Sequence, residues 1–211
     1  CLIFSLLPMG AMADEAKSGT CGENLTWVLK DGTLTISGTG KMYDYDFDAF
    51  HGRSQPWGMY IYQIKSVVIE DGVTSIGDNA FKDCSNLTKV TVPSSVTSVG
   101  SSAFYDCTAL TEISIANGVK SIGGYAFKGC KKLVSITLPD SVTELGSNAF
   151  RYCTKLKTAV LSKGMTQIEE RTFVYCEALE RVTIPKGVTK IIDNAFDYCK
   201  KIADIAYGGT K

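Results

Sequence analysis

Residues 87–109 read LTKVTVPSSVTSVGSSAFYDCTA, and residues 110–132 read LTEISIANGVKSIGGYAFKGCKK. Superposed, the two lines share one unit, L-x-x-V-x-V-P-x-x-V-x-x-I-G-x-x-A-F-x-x-C-x-x. The same step of 23 residues relates Phe81, Phe104, Phe127, Phe150, Phe173 and Phe196, and again Cys84, Cys107, Cys130, Cys153, Cys176 and Cys199. It also relates Ile64, Leu87, Leu110, Leu133, Leu156, Leu179 and Ile202. Six complete units fill residues 64–201, and a seventh begins at Ile202. A fixed period of this length marks an array of small structural units rather than a set of unrelated elements.

The spacing within a unit predicts its local structure. Val90 and Val92 alternate with Lys89 and Thr91, the period of a strand with one buried face. Proline ends that strand at Pro93, Pro139 and Pro185, where the next ladder hydrogen bond is lost. Val96 and Val99 form a second short extended piece, and Gly100 turns the chain. Ala103, Phe104 and Cys107 stand at i, i+1 and i+4, which predicts about one helical turn with a buried side. No single unit can bury its apolar side, whereas stacked units cover one another and build a continuous column.

This unit resembles the BspA-like class of bacterial leucine-rich repeats, which has the same L-x-x-I-x-I-P, I-G-x-x-A-F and C-x-x-L blocks. The likeness covers residues 64–207. Residues 21–60, with CGENLTWVLKDGTLTISGTGKMYDYD and Pro56-Trp57, are similar to the leader that often precedes such repeats in secreted proteins of gut and oral anaerobes. The expected fold is an α/β leucine-rich-repeat solenoid: a strand-dominated right-handed superhelix, one short helical turn per repeat, and an N-terminal β-hairpin cap. The resemblance implies a secreted or cell-surface, non-catalytic protein–protein interaction scaffold that adheres to host matrix proteins or to other cells.

The remainder of the chain fits this plan. CLIFSLLPMGAMA, residues 1–13, has an uncharged apolar run ending in an A-x-A site, the back half of a secretory signal. Residues 14–20 read as a linker. Leu25, Trp27 and Leu29 alternate, Asp31-Gly32 supplies a turn, and Leu34 and Ile36 alternate again, so a hairpin over 25–37 is expected. A solenoid needs its first coil covered, and residues 21–63, with Trp27 and Trp57, are the cap. Residues 202–211 are an incomplete seventh repeat or the start of a C-terminal cap.

Charge and motif content argue against most chemistries. Lys and Arg number 22, balancing 22 Asp and Glu. No basic field exists to follow a phosphate backbone, so nucleic acid is not an expected partner. The apolar run is too short for a bilayer span, and no membrane insertion of the mature chain is expected. His51, the single histidine, has no nucleophile beside it by local motif. Asp44, Asp46 and Asp48 begin like a calcium loop, but Ala49 stands where glycine is required and Gln55 where a bidentate Glu belongs. Gly38-Thr39-Gly40-Lys41 lacks the first glycine of a phosphate loop and is followed by Met42 rather than Ser or Thr. The repeat cysteines point inward as buried thiols, with adjacent-coil disulfides the other reading for an exported chain. No catalytic residue, cofactor or metal site is expected.

Repetition does align outward side chains, and these are the candidate binding residues. One row holds Lys89, Glu112 and Arg181. The next holds Thr91, Ser114, Thr137 and Thr183. Seven strands would present a ribbon about 30 Å long at ~4.8 Å per strand. A further row holds Tyr152, Tyr175 and Tyr198, two residues after the phenylalanine; tyrosine offers large amphipathic contact area at small entropic cost. Packing around the phenylalanine column is the other reading of those tyrosines. The partner expected is an extracellular protein or a glycan. Other functions open to such a chain are a structural spacer within a larger surface protein and a carbohydrate-binding module of a nutrient-acquisition system.

Overall fold

The computed structural model describes residues 15–48 and 52–208. The N-terminal stretch forms β1 (Lys17–Gly22), β2 (Leu25–Lys30), β3 (Thr33–Gly38) and β4 (Gly40–Lys41), then the ribbon β5 (Phe47–Asp48) and β6 (Gly52–Arg53). The repeats follow in pairs of short strands. The first coils give β7 (Ser66–Ile69) and β8 (Val73–Ile76), β9 (Lys89–Val92) and β10 (Ser98–Val99), and β11 (Glu112–Ile115) and β12 (Ser121–Ile122). The later coils give β13 (Ser135–Thr137) and β14 (Glu144–Leu145), β15 (Thr158–Val160) and β16 (Gln167–Ile168), β17 (Arg181–Ile184) and β18 (Lys190–Ile191), and finally β19 (Asp204–Tyr207). The result is the expected strand-dominated solenoid with an N-terminal hairpin.

Successive coils pair in parallel and in register, with Val67 opposite Val90 and Val90 opposite Ile113. The first-strand ladder runs β1-β2-β3-β7-β9-β11, and a separate ladder runs β13-β15-β17-β19. The second-strand ladder runs β4-β8-β10-β12-β14, and β16-β18 pair apart from it. The cap belongs to the stack itself: β3 pairs in parallel with β7, Leu34 opposite Val67 and Ile36 opposite Ile69. Asp31 and Gly32 both take positive φ (49° and 78°), the tight two-residue connection that suits the strand twist.

One boundary differs from the sequence reading. The stretch read as a linker, 14–20, carries β1 from Lys17 onward, paired antiparallel with β2. Ser18, Gly19 and Thr20 are exposed on this outer strand, so it has no apolar alternation to betray it.

The segment whose spacing predicts a helical turn is likewise built differently. Its amides donate alternately across and back. Ser102, Phe104 and Asp106 bond to Gly124, Ala126 and Lys128 of the next coil at 2.8–2.9 Å, while Tyr105 and Cys107 bond three residues back. This alternation requires a left-handed residue on each side of the phenylalanine. Asn79, Ser102, Tyr125, Asn148, Arg171 and Asn194 supply it before, and Asp83, Asp106, Gly129, Tyr152, Tyr175 and Tyr198 after, all with φ between 53° and 74°. A helix satisfies its amides within itself; this turn satisfies half of them against its neighbour, which ties each coil to the next.

The core is one column. Rings from Phe81 to Phe196 stack with centroids 5.2–5.5 Å apart and interplanar angles no larger than 19°. Trp57 extends the column into the cap, 5.5 Å from Phe81, with its indole N–H donating to the Ala80 carbonyl at 2.9 Å. Phe81 through Phe173 are fully buried, and Phe196, at the C-terminal end of the column, is partly buried.

Candidate functional site

The seven cysteines of the described residues carry free thiols, six of them buried. They do more than fill space. The Cys107, Cys130, Cys153, Cys176 and Cys199 thiols donate to the Phe81, Phe104, Phe127, Phe150 and Phe173 carbonyls one coil earlier, at 3.0–3.3 Å. Desolvation pushes the buried thiols well up from their ordinary range, Cys107, Cys130 and Cys176 among them, and Cys21 to about 12. Such thiols are poor nucleophiles, because the thiolate is the reactive form. The partly exposed Cys199 moves the other way, lowered by its interaction with the neighbouring Cys176 thiol.

Other chemistry-bearing residues scatter. The Asp44 carboxylate accepts the Asp78 amide at 2.9 Å and so serves the backbone. Gly38 and Gly40 turn the chain from β3 into β4 at positive φ. His51 and residues 1–13 lie outside the described residues. Among the described residues no three His, Cys, Asp or Glu converge to hold a metal ion, and no helix is long and apolar enough to cross a membrane.

The strand-face candidates are aligned in two blocks, not in one ribbon of seven strands. Lys89 faces Glu112, and Thr91 faces Ser114, in the first ladder; Arg181 and Thr183 sit with Thr158 and Val160 in the second, which also holds Thr137. At the break, between β11 and β13, Ile113 is only half-buried, unlike its buried equivalents Val90 and Ile136. The charges here neutralise one another across adjacent coils: Lys89 to Glu112 at 2.9 Å and Arg181 to Asp204 at 2.9 Å. Thr137 and Thr183 border a groove of about 640 Å³ together with Leu138, Pro139, Val160 and Pro185.

Tyr152, Tyr175 and Tyr198 are brought together. Their rings stack face to face, 4.7 Å and 4.4 Å between centroids and within 9° of parallel. They stand apart from the buried cluster around the phenylalanines, and Tyr198 is 56% exposed. Packing against its neighbours and the adjacent Tyr198 and Tyr152 hydroxyls push the Tyr175 phenol up. All three occupy left-handed backbone, φ 61–62°, where the earlier coils place Asp83, Asp106 and Gly129. Asp and Gly suit that region; a bulky residue there costs on the order of 1–2 kcal/mol.

Beside this ladder, one residue after each phenylalanine, lies a second arrangement that sequence reasoning missed. The Tyr105 ring is flanked by the Lys82 ammonium at 5.0 Å and the Lys128 ammonium at 4.6 Å, and Lys128 donates to the Tyr105 hydroxyl at 2.8 Å. The Arg151 guanidinium lies 5.0 Å from the Tyr152 ring centre. The signal was present as the column Lys82, Tyr105, Lys128, Arg151 at the same 23-residue step. Together the two rows make an aromatic and cationic edge along the outside of the turns.

With this geometry established, the chain can be placed among known proteins. The family model described as the BspA type leucine rich repeat region matches residues 59–116 and 98–210, in six copies. The chain belongs to that family and is a leucine-rich repeat scaffold. Solved structures agree on the fold. A leucine-rich repeat protein from T. pallidum is 23% identical, with a TM-score of 0.65 over 89% of this chain and 88% of its own. One from Eubacterium ventriosum is 23% identical, with a TM-score of 0.58 over 91% of this chain and 72% of its own. No curated protein matches the chain.

Proposed function

We propose that the protein is a secreted or surface-exposed, non-catalytic scaffold that binds extracellular proteins of the host matrix or cell surface, with Tyr152, Tyr175 and Tyr198 as its principal contact. The observation that carries this reading is that the three tyrosines are held stacked at the surface in a backbone conformation unsuited to them. Strain retained where smaller residues would relieve it is characteristic of positions kept for recognition. The family membership supports a binding rather than a catalytic role, and residues 1–13 support export. The strand-face hydroxyls Thr91, Ser114, Thr137 and Thr183 are a secondary surface, because the charges among them, Lys89, Glu112 and Arg181, are occupied with partners or near neighbours.

The test is capture on an array of purified matrix proteins and of polysaccharides. The protein should retain at least one matrix protein, and replacing the three tyrosines by Ser should abolish capture while the circular dichroism spectrum stays unchanged. Unfolding of the triple variant would assign the tyrosines to the core, and retention on polysaccharide alone would assign the module to carbohydrate.

A further inference from the structure

We infer that the edge formed by residues 128–134 and 151–157 extends the tyrosine surface and selects an acidic protein segment as its partner. This deepens the reading of the tyrosines as a contact surface and rests on it. These two adjacent coil edges carry Lys128, Lys131, Lys132, Arg151, Lys155 and Lys157 and no acidic residue. The same stretches of the flanking coils hold Asp83, Asp106, Glu177 and Glu180. A chain of zero net charge thus places six of its 22 cations on two neighbouring coil edges that hold no acidic residue. Asp106, facing Lys128, Lys131 and Lys82 from the adjoining coil, offsets part of that charge.

Arg151 is the centre of the patch. Among the described residues it makes no ion pair. Its guanidinium reaches only the Asn148 side-chain oxygen at 3.3 Å and the Tyr152 hydroxyl at 3.5 Å, and its buried Nε has no acceptor. A guanidinium presents five donors in a planar fork matched to carboxylate, so most of its capacity is unspent here.

The tyrosines then favour a peptide over a glycan. Their faces cover one another at 4.4–4.7 Å, so no face between them is open to stack on a sugar ring. What they present is ring edges, which carry the positive end of the quadrupole, and hydroxyl donors. Edges, hydroxyls and a guanidinium fork all seek anionic acceptors. From Lys128 to Tyr198 the patch crosses three coil steps, about 14 Å, or four residues of extended peptide at ~3.4 Å each.

The experiment is fluorescence anisotropy of the folded protein with three labelled probes: the octapeptide GELEELEG, its glutamine counterpart GQLQQLQG, and heparin, each at low and at physiological salt. The acidic peptide should bind saturably, at least tenfold more tightly than the glutamine peptide, and more weakly as salt rises. Arg151→Gln should weaken it at least tenfold, the exposed Lys155→Gln about threefold, and Lys30→Gln in the cap not at all. Equal binding of both peptides, an unaffected Arg151→Gln or Lys155→Gln variant, or no binding of the acidic peptide overturns the inference. Heparin binding in place of the peptide would overturn it in favour of an anionic glycan. Matrix-protein capture that depends on the tyrosines but ignores both Arg151→Gln and competing GELEELEG would remove this inference and leave the tyrosine surface standing.

Discussion

Replacing Phe127 by Ala probes the column on which the stack depends. Phe127 is fully buried, with Phe104 at 5.4 Å on one side and Phe150 at 5.3 Å on the other. Truncating a buried Phe to Ala costs about 3–5 kcal/mol, because the transfer energy of the ring and the cavity left behind add. A rigid stack tied by backbone hydrogen bonds to both neighbours cannot collapse into that cavity, so the loss belongs near ~4 kcal/mol. Phe196 is chemically the same residue at the end of the column, partly exposed and, among the described residues, stacked on Phe173 alone at 5.4 Å. Its replacement by Ala removes less buried area and leaves an opening to solvent rather than a cavity, a loss of about 1–2 kcal/mol. Urea unfolding under reducing conditions, followed by far-ultraviolet circular dichroism, compares the two. Equal losses at both positions, or a loss at Phe127 under ~2 kcal/mol, would refute the idea that interior coils share one continuous core.

Three further outcomes are expected. The thiols of Cys107, Cys130, Cys153 and Cys176 are raised by burial, and that of Cys21 to about 12; the folded state therefore holds protons that unfolded thiols release above about pH 8.5. Stability is fully present below that pH and falls as pH rises toward the folded values, by ~1.4 kcal/mol per thiol per pH unit, so the urea midpoint under reductant should drop steeply between pH 8.5 and 10.5; a flat profile contradicts buried thiols. Asn148, at φ 60°, should lose about 1 kcal/mol on replacement by Ala and far less on replacement by Gly, read from thermal unfolding of the two variants; equal losses would remove the strain argument. The Lys89–Glu112 pair is more than half exposed on both sides, and a double-mutant cycle should return a coupling of ~0.2–1 kcal/mol that fades in 1 M salt; a larger, salt-resistant coupling would show that the pair is not solvent-screened.

The fold was legible because the same few positions recur at one spacing. Phe104, Cys107 and Leu110 announce a stacked core without any knowledge of the turn that joins them. That turn was misread because Ala103, Phe104 and Cys107 at i, i+1 and i+4 satisfy a helix as well as they satisfy a bracketed tight turn. The discriminating signal lay at the flanking positions, where Asn79, Asp83, Asp106, Gly129, Asn148 and Asn194 are the residue types that tolerate left-handed backbone. β1 was hidden for another reason: an outer strand whose residues 17–20 are polar or glycine and mostly exposed carries no apolar periodicity. The tyrosine ladder could be named from the sequence, but its stacking could not, and the contacts of Lys82 and Lys128 with Tyr105 are not legible there because they form only across coils.

The parallel register between β3 and β7 also bears on how the chain reaches this shape. Residues 25–38 close through a two-residue connection, a contact that forms within microseconds, whereas the β3–β7 rung must gather residues 33 apart and each repeat-to-repeat rung residues 23 apart. The hairpin thus offers the first template edge, and β7, β9 and β11 in turn each add a strand to it. Growth is then vectorial, from the amino terminus onward, in the order in which a nascent or translocating polypeptide emerges. Pulsed deuterium labelling should find amides of 27–36 protected ahead of those of 158–184; the reverse order would place the nucleus elsewhere.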